Sequence, residues 1–266
     1  MKTRIISAIV ALAILLPIIN MGGLIFRVLI YVLSIMSIKE LLDVKETKKE
    51  LPAFIKFISY IIITLIVLYN TRTTDLILSL DYRTVAALFL SFLIPTVLYH
   101  DREKYSINDA FFLIGSIFFL GTSFSVINII RNIDLNLLIY LLLITIFTDS
   151  FAYIIGSLIG KNKLLENVSP KKTIEGMISG SIMGTFVATM FYNTVIDSTL
   201  SLSTLILITL FLSIIGQFGD LVFSAIKRYF NKKDFSNIMP GHGGILDRLD
   251  SIIFVSLGFI FFISII

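Results

Sequence analysis

Asp247 and Asp250 stand three residues apart behind a run of glycines, in Pro240-Gly241-His242-Gly243-Gly244-Ile245-Leu246-Asp247-Arg248-Leu249-Asp250. If a helix begins near Gly244, positions i and i+3 share a face, so both carboxylates point the same way. Two carboxylates on one cavity suit a hard cation such as Mg²⁺, which takes few protein ligands and completes its shell with water and phosphate oxygens. Asp220, at the end of the preceding apolar run, is placed to supply the opposite wall. Gly241, Gly243 and Gly244 let backbone amides approach a phosphate closely, and Lys227 and Arg228 can neutralise its charge. His242 suits a structural hydrogen bond as well as a ligand contact. Taken singly, the acid pair also fits a solvated helix face and the glycine run an ordinary turn. Together, acids, bases and glycines in a mostly hydrocarbon chain point to an anionic phosphate held through metal, because charge beside lipid is costly unless something polar meets it.

Two further polar features lie upstream. Thr148-Asp149-Ser150-Phe151-Ala152-Tyr153 interrupts an apolar run; an acid there either faces a bundle interior or sits at a helix end in water. The second is a basic loop from Gly160-Lys161-Asn162-Lys163 through Ser169-Pro170-Lys171-Lys172-Thr173-Ile174-Glu175-Gly176. Lysines and hydroxyls beside a helix start favour an anion. Ser169 before Pro170 equally fits a plain helix entry with Thr173 and Glu175 in its first turn, and basic loops beside a membrane attract anionic lipid in general.

The elements that must position these groups are apolar. The chain has 266 residues, 56% hydrophobic and 15% charged, with long apolar runs from end to end, which excludes a soluble domain and indicates an all-α, polytopic bundle forming one integral membrane domain over 1–266. The segment 1–130 is the less specific part, and 135–266 carries the site. Without Cys there is no thiol chemistry, disulfide or thiolate metal site. No nucleic-acid module is evident, and the net charge of +4 is explained by basic residues at the ends of apolar runs.

Candidate spans are Ile5–Ile19, Leu24–Ile38, Ala53–Tyr69, Thr84–Tyr99, Ala110–Ile130, Leu135–Gly160, Met177–Asn193, Leu202–Tyr229 and Ile245–Ile266, about nine in all. The first, behind Lys2 and Arg4, has the flanks of a signal peptide, but no small-x-small cleavage site follows and Gly22-Gly23 leads into the second run, so a retained hairpin is expected. Nine spans with a cytoplasmic N-terminus put most of the 22 basic residues on the inner side, leaving Arg27, Arg72, Arg83 and Arg131 elsewhere. The stretch Lys39–Lys56, mixed in charge, reads as a solvated helical extension with i,i+4 pairs.

The block from Ser224 to Asp250 resembles the signature of the phosphatidate cytidylyltransferase (CDP-diacylglycerol synthase) family: Ser-x-apolar-Lys-Arg, four residues, Lys233-Asp234, then Pro-x-His-Gly-Gly-apolar-x-Asp-Arg-apolar-Asp. The likeness extends to Thr148–Tyr153 and Ser169–Gly176, so specific motifs cover the C-terminal half. The chain departs from the pattern at Phe223, where many members carry an acid, and at Met239. The resemblance implies transfer of CMP from CTP to phosphatidic acid, giving CDP-diacylglycerol and pyrophosphate. It implies Mg²⁺ on Asp220 and Asp247, with Asp250 as a further ligand or a partner of Arg248, and leaves a second cation and a homodimer open. Lys227 and Arg228 are expected to hold phosphate, Gly241–Gly244 with His242 to cradle the triphosphate, and Ser224 to hydrogen-bond a phosphate. Lys171, Lys172 and Thr173 would close the site, and Asp149, Ser169, Glu175, Lys233 and Asp234 belong to the substrate-binding set. The implied location is a bacterial-type inner or cell membrane, with the site facing the cytoplasm.

The rivals are a polyprenol kinase, a CDP-alcohol phosphotransferase and an anion transporter. The phosphotransferase resembles a paired Asp-x-x-Asp arrangement of which only Asp247-x-x-Asp250 is present, and a transporter should show paired repeats that are not seen.

Overall fold

A computed structural model describes residues 2–70, 82–99, 101, 103–196, 200–239, 241 and 243–263. Among them are nine α-helices: α1 (Lys2–Met21), α2 (Gly23–Glu46), α3 (Ala53–Asn70), α4 (Tyr82–Leu98), α5 (Ile107–Ile133), α6 (Leu135–Ile159), α7 (Ile174–Val195), α8 (Leu202–Tyr229) and α9 (Leu246–Phe259), the last followed by a 3₁₀ turn at Ile260–Phe262. Each coincides with an expected apolar run. Among the described residues four, α5 to α8, are long and apolar enough to cross a membrane, and shorter apolar stretches occupy Ile9–Met21, Ala53–Tyr69 and Tyr82–Leu98. Four such helices mark an integral membrane protein. Helix α9 is shorter than the run from Ile245 to Ile266: its 14 residues rise about 21 Å, less than the ~30 Å hydrocarbon layer.

The all-α expectation needs one amendment. Strands β1 (Lys163–Leu165) and β2 (Ser169–Thr173) form a small antiparallel hairpin between α6 and α7, pairing Lys163 with Thr173 and Leu165 with Ser169. Ser169 is therefore not the helix entry. That role falls to Thr173, whose hydroxyl accepts from the Gly176 amide at 3.1 Å and caps α7, a bond worth about 1 kcal/mol.

The chain divides into two compact units. The first holds residues 1–129 and 234–246. Here Gly22 alone separates α1 from α2, with Gly22 and Gly23 at φ 66° and 57°, a left-handed turn that glycine adopts without a Cβ clash. Phe26, Ile30, Ile38, Leu42, Ile55, Ile63 and Phe92 form its core. The charged stretch Lys39–Lys56 is not a solvated extension with local pairs. Lys45 and Lys49 both reach the carboxylate of Asp109 at the start of α5, at 2.5 and 2.6 Å, and Ser106 donates to it at 2.7 Å. Lys56 pairs with Glu46 at 2.9 Å, and Glu40 is fully buried. Lys45 and Lys49 serve a tertiary contact here: α2 continues to Glu46 and carries Lys45 to Asp109, and Lys49 joins it from just beyond the helix end.

The second unit holds residues 130–233 and 247–266. Its axis is the seam between α6 and α7. A Cβ at Gly180 would stand 2.5 Å from the Thr148 carbonyl oxygen and 2.8 Å from the Ala152 side chain, so the small residue sets how closely the two helices approach. Polar side chains bind α6, α7 and α8 inside this apolar setting. Thr209 spends its proton on the Leu205 carbonyl, so Tyr140 must donate to Thr209 at 2.7 Å. The Thr148 and Ser213 hydroxyls are hydrogen-bonded to each other at 2.7 Å, and the Gln217 amide donates to Ser181 at 2.8 Å. Substituting Gly180 by Val should spread the seam and cost about 1–3 kcal/mol, read as a lowered melting temperature in detergent. A melting temperature equal to wild type would mean that α6 and α7 do not rely on this approach.

Candidate active site

The polar groups of the second unit converge from α6, β2, α8 and α9. Asp220 lies on α8, where Lys172 of β2 donates to its Oδ2 at 2.6 Å and Ser224, one turn on, donates to its Oδ1 at 3.2 Å. One more turn along α8, Lys227 donates to Asp247 in the first turn of α9 at 2.5 Å; the two side chains are 9% and 5% exposed. Asp250 is buried, and Asp149 on α6 accepts from Ser251 at 3.3 Å. The carboxylates of Asp149, Asp220 and Asp250 lie within electrostatic range of one another, and the ammonium groups of Lys172 and Lys227 are near them.

Local packing explains the convergence. A Cβ at Gly219 would stand 2.8 Å from both the Asp250 carbonyl oxygen and the Phe254 side chain, so the residue before Asp220 brings α8 against α9. The i,i+3 spacing of Asp247 and Asp250 and the i,i+4 and i,i+7 spacings of Asp220, Ser224 and Lys227 then turn all five toward the shared face. Phe223, where an acid stands in many family members, is buried and meets Phe254 edge to face with centroids 6.2 Å apart. A carboxylate there would be taken out of water against a ring, so the position as built suits packing rather than charge.

Other expected site residues stand outside these contacts. Glu175 accepts from the side-chain amide of Asn162 at 2.8 Å and closes the base of the hairpin, while Thr173 caps α7. Ser169 pairs in the hairpin, and Lys171 is exposed on it. Arg228 donates to the Lys232 carbonyl at 2.6 Å, at the end of α8, and Lys233 and Arg248 are exposed. Asp234, Gly241, Gly243 and Gly244 belong to the first unit, and His242 lies outside the described residues. Gly241 and Gly243 have φ 77° and 86°, and Met239 and Gly243 exchange backbone hydrogen bonds at 2.9 and 3.2 Å. The Gly243 amide is thus engaged inside the loop. Sequence reasoning missed Ser251, whose signal was only its place beside Asp250, and Glu40, whose donors are distant in the chain.

Whether these residues suit Mg²⁺ can be tested on their charges. In the contacts just described, four carboxylates meet two ammonium groups, an excess of negative charge that a divalent cation would neutralise. Among the described residues no group of three or more carboxylate or imidazole side chains forms a ready cage. Mg²⁺ takes only one or two protein carboxylates and completes its shell with water and substrate phosphate. The donor set fits.

The chain belongs to the cytidylyltransferase family, whose model matches residues 2–266. It is 39% identical over 258 residues to a phosphatidate cytidylyltransferase of Staphylococcus haemolyticus, covering 96% of each chain. Proteins of the same name from Staphylococcus saprophyticus and Staphylococcus aureus are 38% and 37% identical, again with 96% of each chain covered. The match runs through both units, so the resemblance read from the C-terminal motifs extends to the N-terminal half.

Proposed function

We propose that this protein makes CDP-diacylglycerol by transferring CMP from CTP to phosphatidic acid, with the cluster around Asp220 and Asp247 as its active centre. The observation that carries the reading is the meeting of Lys172, Lys227, Asp149, Asp220, Asp247 and Asp250 in a chain whose relatives are named phosphatidate cytidylyltransferase. A phosphate oxygen of phosphatidic acid bonds to the α-phosphorus of CTP as the bond from that phosphorus to the β-phosphate bridging oxygen breaks, and pyrophosphate leaves. The nucleophile is already an anion, so no strong general base is required. The task is to hold two mutually repelling phosphates in line.

Lys172 and Lys227 supply positive charge, while Asp220 and Asp247 fix the two ammonium groups and would hold Mg²⁺, with buried Asp250 beside them. The ion would neutralise charge on the phosphates and polarise the reacting phosphorus centre. Asp149 and Ser251 extend the polar wall on the α6 side. The carboxylates of Asp220 and Asp247 hold the two ammonium groups in place beside the reacting phosphates.

The distribution of lysine and arginine supports a cytoplasmic N-terminus, which would place this centre at head-group depth on the cytoplasmic side. The lipid then remains in the bilayer while CTP arrives from water. In proteoliposomes, pyrophosphate release should require phosphatidic acid and CTP together and should stop with EDTA. Equal release without phosphatidic acid would point to plain CTP hydrolysis and overturn the reading.

A further inference from the structure

Glu40 is a fully buried carboxylate that the proposed mechanism does not use, and its hydrogen-bond donors are on the glycine-containing segment 234–246. Its Oε1 accepts from the Ser236 hydroxyl at 2.6 Å and from the Ile245 amide at 2.8 Å, and its Oε2 accepts from the Leu246 amide at 2.8 Å. Gly244 lies against the same carboxylate: a Cβ there would stand 2.6 and 2.7 Å from the two oxygens. The backbone of this segment and the carboxylate thus occupy complementary space, and glycine is the residue that leaves the carboxylate room.

Burying a carboxylate is expensive unless its lone pairs are satisfied. Three donors do so here, and two of them are amides at the start of α9, where helix geometry leaves N–H groups without intrahelical acceptors and favours negative charge. The anion comes from a residue more than two hundred positions away in the chain, so it fastens the segment to α2. Ser236 and Ile245–Leu246 are the segment's two ends, and Met239 and Gly243 bridge within it. One side chain therefore closes the loop that carries Gly241 and Gly243.

We infer that Glu40 is a positioning residue for cytidylyl transfer: its carboxylate ties Ser236 to the amides of Ile245 and Leu246 and so fixes the peptide from which Asp247 follows in the chain. The inference rests on the reading of Asp247 as part of the active centre. Rotating the Leu246 peptide re-aims the residue after it, and reacting phosphates tolerate little misplacement. Replacing Glu40 by Gln keeps the volume but turns one acceptor oxygen into a donor facing an N–H. Substituting Gly244 by Ala displaces the same carboxylate from the other side.

The test pairs kinetics with hydrogen–deuterium exchange on E40Q, S236A, G244A and E40Q/G244A in the full-length protein. E40Q is expected to lower kcat per folded molecule at least about tenfold with KM for CTP and phosphatidic acid within about twofold. Exchange should accelerate in peptides covering 236–246 and stay unchanged in α6 and α7. G244A should act in the same way, S236A more weakly, and the double variant should be little worse than E40Q, since both changes break one arrangement. A wild-type kcat per folded E40Q molecule, or fully additive effects of E40Q and G244A, would overturn the positioning role. If the wild-type protein transfers no cytidylate, the activity reading falls instead, and exchange alone then decides the clamp: unchanged exchange over 236–246 in E40Q would refute it.

Discussion

Replacing Asp247 by Asn lowers cytidylyl transfer by at least about a hundredfold while leaving the amount of assembled protein close to wild type. The carboxylate has two duties, as the partner of Lys227 at 2.5 Å and as the acid aimed at the substrate cation. Asn keeps the shape and an oxygen for Lys227 but gives up the charge. Replacing Asp247 by Ala is harsher, because it leaves a buried ammonium without this partner, at a cost of about 3–5 kcal/mol. A charge exchange separates the duties. Lys227→Asp combined with Asp247→Lys retains an ion pair between α8 and α9 and should recover much of the lost stability, yet it moves the carboxylate to α8 and should remain inactive. Activity in the exchanged protein would mean that the pair serves the fold alone.

Asp220→Asn is the second large effect. Asp220 is bound by Lys172 and Ser224 and lies within electrostatic range of Asp149 and Asp250, so removing its charge relieves repulsion among acids. The fold should tolerate the change well, and the melting temperature should stay the same or rise slightly. The reaction should not tolerate it. The Mg²⁺ concentration for half-maximal rate is expected to rise at least about tenfold, with a lower rate at saturation. An unaltered Mg²⁺ dependence, measured by titration at saturating CTP, would remove Asp220 from the cation's neighbourhood. Lys172→Gln provides the contrast: it raises KM for an anionic substrate without moving the cation dependence in the same way.

Local patterns made much of this legible before any coordinates. Helix positions followed the apolar runs, and α8 runs from Leu202 to Tyr229 as its composition indicates, because in a membrane the backbone must satisfy itself within each segment. The shared helical face of Asp247 and Asp250 followed from their spacing, and Asp220 from its place at the end of the preceding run; the part Gly219 plays in bringing α8 against α9 did not. What sequence hid were contacts set by tertiary structure. Nothing near Glu40 announces that its donors lie at Ser236, Ile245 and Leu246, and the lysines of the same stretch look like a solvated surface until Asp109 is seen between them. The hairpin at 163–173 was equally silent, since the four polar residues around Pro170 carry no alternation of apolar and polar positions. Phe223 was visible as a departure, and its reason emerged only with Phe254 against it.

Transfer of the label of CTP to lipid tests the account most directly. Purified protein in detergent, with phosphatidic acid and Mg²⁺, should move α-phosphorus label from CTP into the lipid and leave γ-phosphorus label in pyrophosphate, with ATP unable to replace CTP. Lipid labelled from the γ-position would identify a kinase, and no labelled lipid from well-folded protein across several phosphatidic acids and cations would contradict cytidylyl transfer altogether.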